Sequence, residues 1–419
     1  MKNIHLRVYK IAGIVILLQR FFKSHLNHLL CGVKNYSTTT CELIDLISSG
    51  AELKDLLIKS IAKAKAVNPD HGTNPAQNLE EFFDFIEWSL TTLPRFILRL
   101  PEASSLYDRM DQGVDYLYFL LDQPLEELEG KGYYYPSLQY HEPLRSWLKA
   151  YCRQWGAFLS TPESWKPEYA ADFYADPEFG VPHGWYESSD NWKSYNDFFS
   201  RRLRDASQRP IAAPDDHSVV VSPVDGWPQG VWSIDDEGFI RQNVLLKSRE
   251  FDSIPNLLGP ECKYADCFAG GTLTHVFLDV NDYHRYHFPV SGRILEMKRI
   301  DGCDAGGGVY LWNPEAGRYW LDSRNPGWES IETRACVILE NPDFGKVALL
   351  PIGMSQICSV NFSEGLAPGV EVAKGQELGY FLFGGSDFVM VFQKGVHFDL
   401  QADTEGHIFL GQPLGILYK

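Results

Sequence analysis

The chain has 419 residues, of which 44% are apolar, 22% charged and 14% aromatic. These proportions describe a globular protein of one or two domains and exclude disordered, collagen-like and coiled-coil chains. A formal net charge of −17 gives a surface that repels phosphate backbones, so nucleic acid is not an expected partner.

The charge is uneven. Residues 1–41 carry six basic side chains (Lys2, Arg7, Lys10, Arg20, Lys23 and Lys34) and no Asp or Glu, which leaves −23 on the remaining 378 residues. The apolar run at 11–18 is eight residues long, against the roughly 20 that a spanning helix needs. A basic, acid-free head followed by Ser and Thr at 37–40 fits a mitochondrial-type targeting segment, and a functionally silent terminus fits as well. The expected location is the cytoplasm, or the mitochondrion if this head is a presequence. The eight cysteines include no Cys-x-x-Cys pair and read as reduced thiols. Cys262 and Cys267 stand too far apart for a usual pair of metal ligands.

Residues 43–159 read as helical. Leu144, Trp147, Leu148, Tyr151, Trp155 and Phe158 share one face at a 3.6-residue period, and Pro143 suits the first turn. Residues 160–190, rich in Pro, Gly, Asp and aromatics, read as a linker or wrapping segment. A short helix is expected at 194–204. Beyond Pro210 the pattern changes to short apolar runs at 219–221, 276–280, 292–297, 309–312, 335–339, 347–352, 370–372, 378–383 and 388–392, separated by Gly, Pro and Asn-Asp turns. That spacing predicts antiparallel strands in a barrel or sandwich. The fold class is therefore α+β. Three parts are expected: a basic segment 1–41, a helical domain 42–193 and a β-rich catalytic domain 194–419.

Three segments carry chemistry. Ser222-Pro223-Val224-Asp225-Gly226 sets a carboxylate in a turn. Asp282-Tyr283-His284-Arg285-Tyr286-His287-Phe288-Pro289 places two imidazoles, the usual proton carriers near neutral pH, three residues apart. The following proline and strand-like surroundings argue against a metal pair there, and no metal is expected. Phe383-Gly384-Gly385-Ser386-Asp387-Phe388 puts two glycines before a serine, which opens backbone conformations closed to other residues. Each segment alone is ordinary: an Asp-Gly turn, structural histidines, a glycine bulge.

Taken in this order, with Tyr195-Asn196-Asp197-Phe198-Phe199-Ser200-Arg201-Arg202-Leu203, Arg209-Pro210-Ile211 and the Lys374-Gly375 approach to the serine, the segments resemble the phosphatidylserine decarboxylase family of self-cleaving, pyruvoyl-dependent enzymes. The resemblance covers about residues 194–392. The helical half is similar to that of fungal members, which include soluble L-tryptophan decarboxylases. It implies a proenzyme. His287 would act as base on the Ser386 hydroxyl, with Asp225 orienting the imidazole. The hydroxyl would attack the Gly385 carbonyl to form an ester. Elimination, hydration and loss of ammonia would then leave a pyruvoyl cofactor at position 386. The products would be a β chain ending at Gly385 and an α chain of the 34 residues from Ser386 to Lys419. A substrate amine would form a Schiff base with the ketone, CO₂ would leave, and His284 would return the proton.

Two departures stand out. Asp387 follows the serine where the family commonly has Ser or Thr, and Phe288 precedes Pro289 where a small side chain is usual. The resemblance to the fungal branch implies a free aromatic amino acid such as tryptophan as the expected substrate, and the acidic body and the lack of a spanning segment agree with it. The phosphatidylserine headgroup is the alternative, and the basic head keeps membrane contact open. A third reading is a family member that folds but never cleaves. A homo-oligomer is compatible with all three. A lipoyl-type carrier hairpin is disfavoured, since residues 384–387 hold no lysine.

Overall fold

The structure is a computed structural model that describes residues 31–101, 104–241, 253–303, 305–323, 327–355, 359–384 and 386–419. Most of the basic segment, together with Cys358 and Gly385, lies outside the described residues.

Among the described residues of the first half, five long helices stand out: α1 (Thr38–Ser49), α2 (Ala51–Val67), α3 (Leu79–Ser89), α4 (Leu106–Leu121) and α5 (Leu144–Leu159). Three of them start on side-chain caps. The side chains of Ser37, Asn78 and Ser105 accept from the amides of Thr40, Glu81 and Asp108, which satisfies donors that a helix start leaves open. The face expected on α5 is the one observed. Leu144, Trp147, Leu148, Tyr151 and Trp155 are buried, and Phe158 packs half-buried beside them. The Trp155 indole donates to the Thr92 carbonyl at 2.8 Å.

One expectation is narrowed here and another corrected. Of the two readings of residues 160–190, the wrapping segment is the one observed and the linker is not. The segment contains α6 (Pro167–Ala175), and Trp165, Phe173 and Phe179 join Trp192 and Phe198 in one aromatic cluster. Burial of these rings outweighs the loop-forming composition around them. Nor are all cysteines thiols. The Tyr36 amide closes a turn on the Cys31 carbonyl, and Cys31 and Cys41 are joined as a disulfide with Cα atoms 5.9 Å apart. The Cys262 thiol, in turn, is hydrogen-bonded with Cys336 and is pulled down to about 7 by it.

The helix expected at 194–204 is short, α7 (Tyr195–Phe199), started by a reciprocal capping box between Ser194 and Asp197. It stops where Arg201 turns inward. The buried guanidinium donates to the Asn281 and Asp282 carbonyls at 2.8 and 2.9 Å.

Antiparallel strand pairs make up the second half. Among the described residues they form four open sheets rather than a closed barrel. The largest has seven strands in the order β11 (Glu371–Val372), β5 (Gly292–Ile300), β8 (Thr333–Asn341), β9 (Gly345–Gly353), β13 (Ser386–Phe392), β3 (Thr272–Leu278), β2 (Trp227–Ser233). A three-stranded sheet joins β10 (Asn361–Phe362), β12 (Glu377–Tyr380) and β4 (Arg285–His287), and another joins β1 (Val219–Val221), β15 (Pro413–Tyr418) and β14 (His397–Leu400). The pair β6 (Val309–Asn313) and β7 (Arg318–Asp322) forms a hairpin.

Alternation along β13 sorts its side chains into two cores. Phe388, Met390 and Phe392 enter one apolar cluster with Tyr286 and Phe288, while Val389 and Val391 enter another with Leu350 and Ile352. A third cluster fills the helical half and takes in Val280, Tyr283, Tyr310, Tyr319 and Phe383 from the β half. The two halves therefore share a core. Trp155 sits at that junction, fully buried and edge-on to Phe383 at 5.3 Å. Trp155→Ala should cost about 3–5 kcal/mol, read as a lowered denaturation midpoint. An effect below about 1 kcal/mol would contradict the shared core.

Candidate active site

Ser386 opens β13 between Leu278 of β3 and Gly353 of β9, its register partners on either side. Its hydroxyl is fully buried and has no hydrogen-bond partner among the described residues. Such a group costs about 1–3 kcal/mol relative to a satisfied one. Gly384, just upstream, has φ +142°, a conformation that L side chains rarely adopt.

The approach to the serine is fixed by the helical half. The Phe383 amide donates to Asn196 Oδ1 at 2.9 Å, and Asn196 Nδ2 donates to Ser160 Oγ at 2.8 Å. The Phe383 ring meets Trp155, Tyr195 and Phe199 edge-on at 5.1–5.4 Å. Asn196 and its neighbours in α7 thus hold the chain two residues before Gly385.

Both imidazoles are neutral near pH 7. His287 Nδ1 lies 2.8 Å from the Gly375 carbonyl, which can only accept, so Nδ1 carries the hydrogen and Nε2 keeps its lone pair. That Nε2 is inaccessible and unpartnered. Burial lowers the His287 pKa, with Arg285 adding to the shift and Gly375, Glu377 and Asp225 opposing it. His284 is fully buried and stacks on Phe199 at 3.8 Å. Burial first, then Arg201, pushes it well below the usual histidine range. Phe199 touches both His284 and Phe383, so a single ring links this histidine to the serine loop.

The expected hydrogen-bonded chain from Asp225 through His287 to Ser386 is not closed. Asp225 accepts from Arg209 Nε at 2.9 and 3.1 Å, from Arg209 Nη2 at 2.5 Å and from the Leu410 amide at 2.8 Å. Arg209 is held between the rings of Trp185 and Phe409. A guanidinium fork outcompetes an imidazole N–H for a buried carboxylate. The Gly375 carbonyl takes over the orientation of His287, and Asp225 acts on it only through its charge. Arg285 makes a structural ion pair with Glu377 at 3.0 Å. Phe288 packs into the core beside Tyr286 and Phe388.

Asp387 points to the other face of the sheet. One oxygen takes His275 Nδ1 at 2.6 Å and the other takes the Phe388 amide at 2.7 Å. The departure from Ser or Thr is therefore matched by a buried histidine on the neighbouring strand. Glu329 completes the group, and the ligating atoms of His275, Glu329 and Asp387 lie within 4.8 Å of one another. This is the set of side chains among the described residues that could approach a metal. With both Asp387 oxygens engaged, the group reads instead as a proton-balanced cluster. Burial pushes Glu329 up to about 7, with His275 opposing and Asp387 adding to the shift. Burial alone would lower His275, but the charge and hydrogen bond of Asp387 raise it overall.

A cavity of about 330 Å³ lies where β3 and β9 run past the serine. Leu278 lines it on the β3 side and Met354 and Ser355 on the β9 side, while α4 and the β6–β7 hairpin close it from the helical half.

The phosphatidylserine decarboxylase family model matches residues 195–416, more than half of the chain. Phosphatidylserine decarboxylase proenzyme 2 of Oryza sativa subsp. japonica is 32% identical over 255 residues, covering 60% of this chain and 38% of that protein. Decarboxylase iboD of Amanita muscaria is 29% identical over 308 residues, covering 65% of this chain and 84% of the relative. The phosphatidylserine decarboxylase proenzyme of Fusobacterium nucleatum is 29% identical over 269 residues, covering 62% and 81%. The chain thus spans little more than a third of the rice protein and most of the other two.

Two outcomes test the site. Asn196→Ala leaves the Phe383 amide buried without an acceptor, which should cost about 1–3 kcal/mol; an unchanged denaturation midpoint would contradict the anchor. Both raised groups, Glu329 and His275, hold extra protons in the folded state. The Glu329 contribution is complete below the ordinary carboxylate range and is lost as pH rises to about 7, and the His275 contribution is lost as pH rises through its elevated range. Glu329→Gln should therefore lie closer to wild type in melting temperature at pH 5 than at pH 8, where it should exceed it. An equal effect at both pH values would contradict this assignment.

Proposed function

Since the chain belongs to the phosphatidylserine decarboxylase family, a family of carboxy-lyases, we propose that it is the proenzyme of a pyruvoyl-dependent decarboxylase that matures at Ser386. The buried, unpartnered Ser386 hydroxyl carries this reading. A stable fold has no use for such a group, whereas a nucleophile kept for the preceding peptide bond needs it free. Gly384 in its left-handed conformation and the neutral His284, joined to the loop through Phe199, suit the same end. His287, with Nδ1 engaged and Nε2 bare, has the tautomer of a general base toward the serine proton. The pyruvoyl group supplies, once formed, an electron sink for loss of CO₂ from a primary amine substrate. His284, neutral and joined to the loop through Phe199, is suited to deliver the proton that replaces the carboxylate.

The substrate we propose is a free amino acid with an aromatic side chain. The cavity lined by Leu278 of β3 and by Met354 just beyond β9, the strands that flank Ser386, is about 330 Å³ and stands at the small end of small-molecule sites, roughly 300–1,000 Å³. Tyr310, Tyr319 and Trp320 contribute to its walls. Phosphatidylserine is the second reading, favoured by the names of the rice and bacterial relatives.

Purified protein should run as two chains on denaturing electrophoresis, one small and C-terminal, and Ser386→Ala should run as one. Processed protein should release CO₂ from L-tryptophan and not from phosphatidylserine vesicles. The opposite preference would establish the lipid reading. A single full-length chain that releases no CO₂ from either would overturn both.

A further inference from the structure

The cavity that Leu278, the register partner of Ser386, helps to line holds three carboxyl groups, from Asp111 and Asp115 of α4 and from Asp279 just beyond β3. Two of them are compensated by the protein. Asp111 accepts from Arg318 Nη2 at 2.8 Å and from Gln112 Nε2 at 2.9 Å. Asp279 accepts from the Tyr107 hydroxyl at 2.7 Å and from the Val280 amide at 2.7 Å. Asp115 differs. It is 5% exposed, lines the cavity, and accepts no hydrogen bond from any described residue. Its oxygens face the cavity rather than a protein donor, which leaves them open to a donor on a bound molecule.

We infer that this cavity receives the substrate side chain and that the Asp115 carboxyl selects amino acids whose side chain bears an N–H donor. The inference rests on the decarboxylase reading above and narrows it. The substrate amino group is committed to the cofactor and its carboxylate leaves as CO₂, so recognition falls to a third group. Leu278, register partner of Ser386, forms part of the same wall as Asp279 and Val280. A side chain reaching away from position 386 along this wall meets the acidic end between aromatic surfaces. Three carboxyls with one arginine also disfavour a phosphodiester there. Burial, with Asp111 and Asp279 adding and Arg318 opposing, holds Asp115 well above the usual carboxylate range. A protonated carboxyl still offers its carbonyl oxygen to an N–H. An indole fits this description, and a simple phenyl ring does not.

The test compares L-tryptophan with benzothienyl-L-alanine, in which sulfur replaces the indole N–H, on processed full-length protein. Wild type should favour tryptophan in kcat/KM by about tenfold or more, since a site built around a substrate N–H rejects an analogue without it. Asp115→Leu should lose that preference and leave the sulfur analogue within about twofold of its wild-type value. Asp115→Asn, which keeps a carbonyl acceptor, should restore part of it. Thermal denaturation should show both variants folded, because no partner in the protein is lost. Calorimetric binding of the same two amino acids separates this inference from the reading beneath it. Preferential binding of tryptophan that Asp115→Leu abolishes, without CO₂ release, would keep the subsite and sink the decarboxylase. CO₂ release from both at equal kcat/KM, unchanged in Asp115→Leu, would keep the decarboxylase and overturn the subsite. Absence of binding and turnover for both would overturn the subsite as well.

Discussion

The placement of one hydroxyl governs this molecule. Ser386 heads a strand whose seven residues are all buried, with backbone pairing on both sides and no described residue for its side chain to bind. The fold supports that cost from a distance. Asn196 takes the Phe383 amide, three aromatic rings clamp the Phe383 side chain, and Gly384 adopts a backbone conformation that few other residues tolerate. The helical half therefore does more than cover the β half. It sets the last residues before the serine and walls the cavity beside it.

The same economy explains the titratable groups. His284 and His287 are kept neutral by burial, and the proton on His287 is assigned by a backbone carbonyl rather than by a carboxylate. Asp225 is occupied by Arg209, which rests between two aromatic rings. Asp387 turns to the far face of the sheet, where His275 and Glu329 balance it. A carboxylate next to the serine is thus kept out of the serine's own environment.

Much of this was legible in the sequence where one physical period dominates. The α5 face repeats at helical spacing, and nearly every expected apolar run became a strand or part of one. The serine, the two histidines and Asp225 stood out because their motifs are short and local. Other features are not local. Arg209 competes for Asp225 only once the chain has folded, and residues 275, 329 and 387 meet only through strand register. Residues 160–190 carry the composition of a loop but the rings of a core. Asp115 belongs to no motif that the sequence marks out. It is buried because nearly all of α4 from Gln112 to Leu121 is enclosed by neighbours on every side, and amphipathic spacing cannot show that.

The central claim is that Ser386 becomes a chain end without an amino group, and intact mass of the denatured protein reads this directly. The expected result is a C-terminal fragment covering residues 386–419 that is lighter, by one ammonia, than the same residues beginning with an unmodified serine. A single species at the full-chain mass, or a fragment retaining an N-terminal amine, in a preparation that releases CO₂ from its substrate, would contradict it.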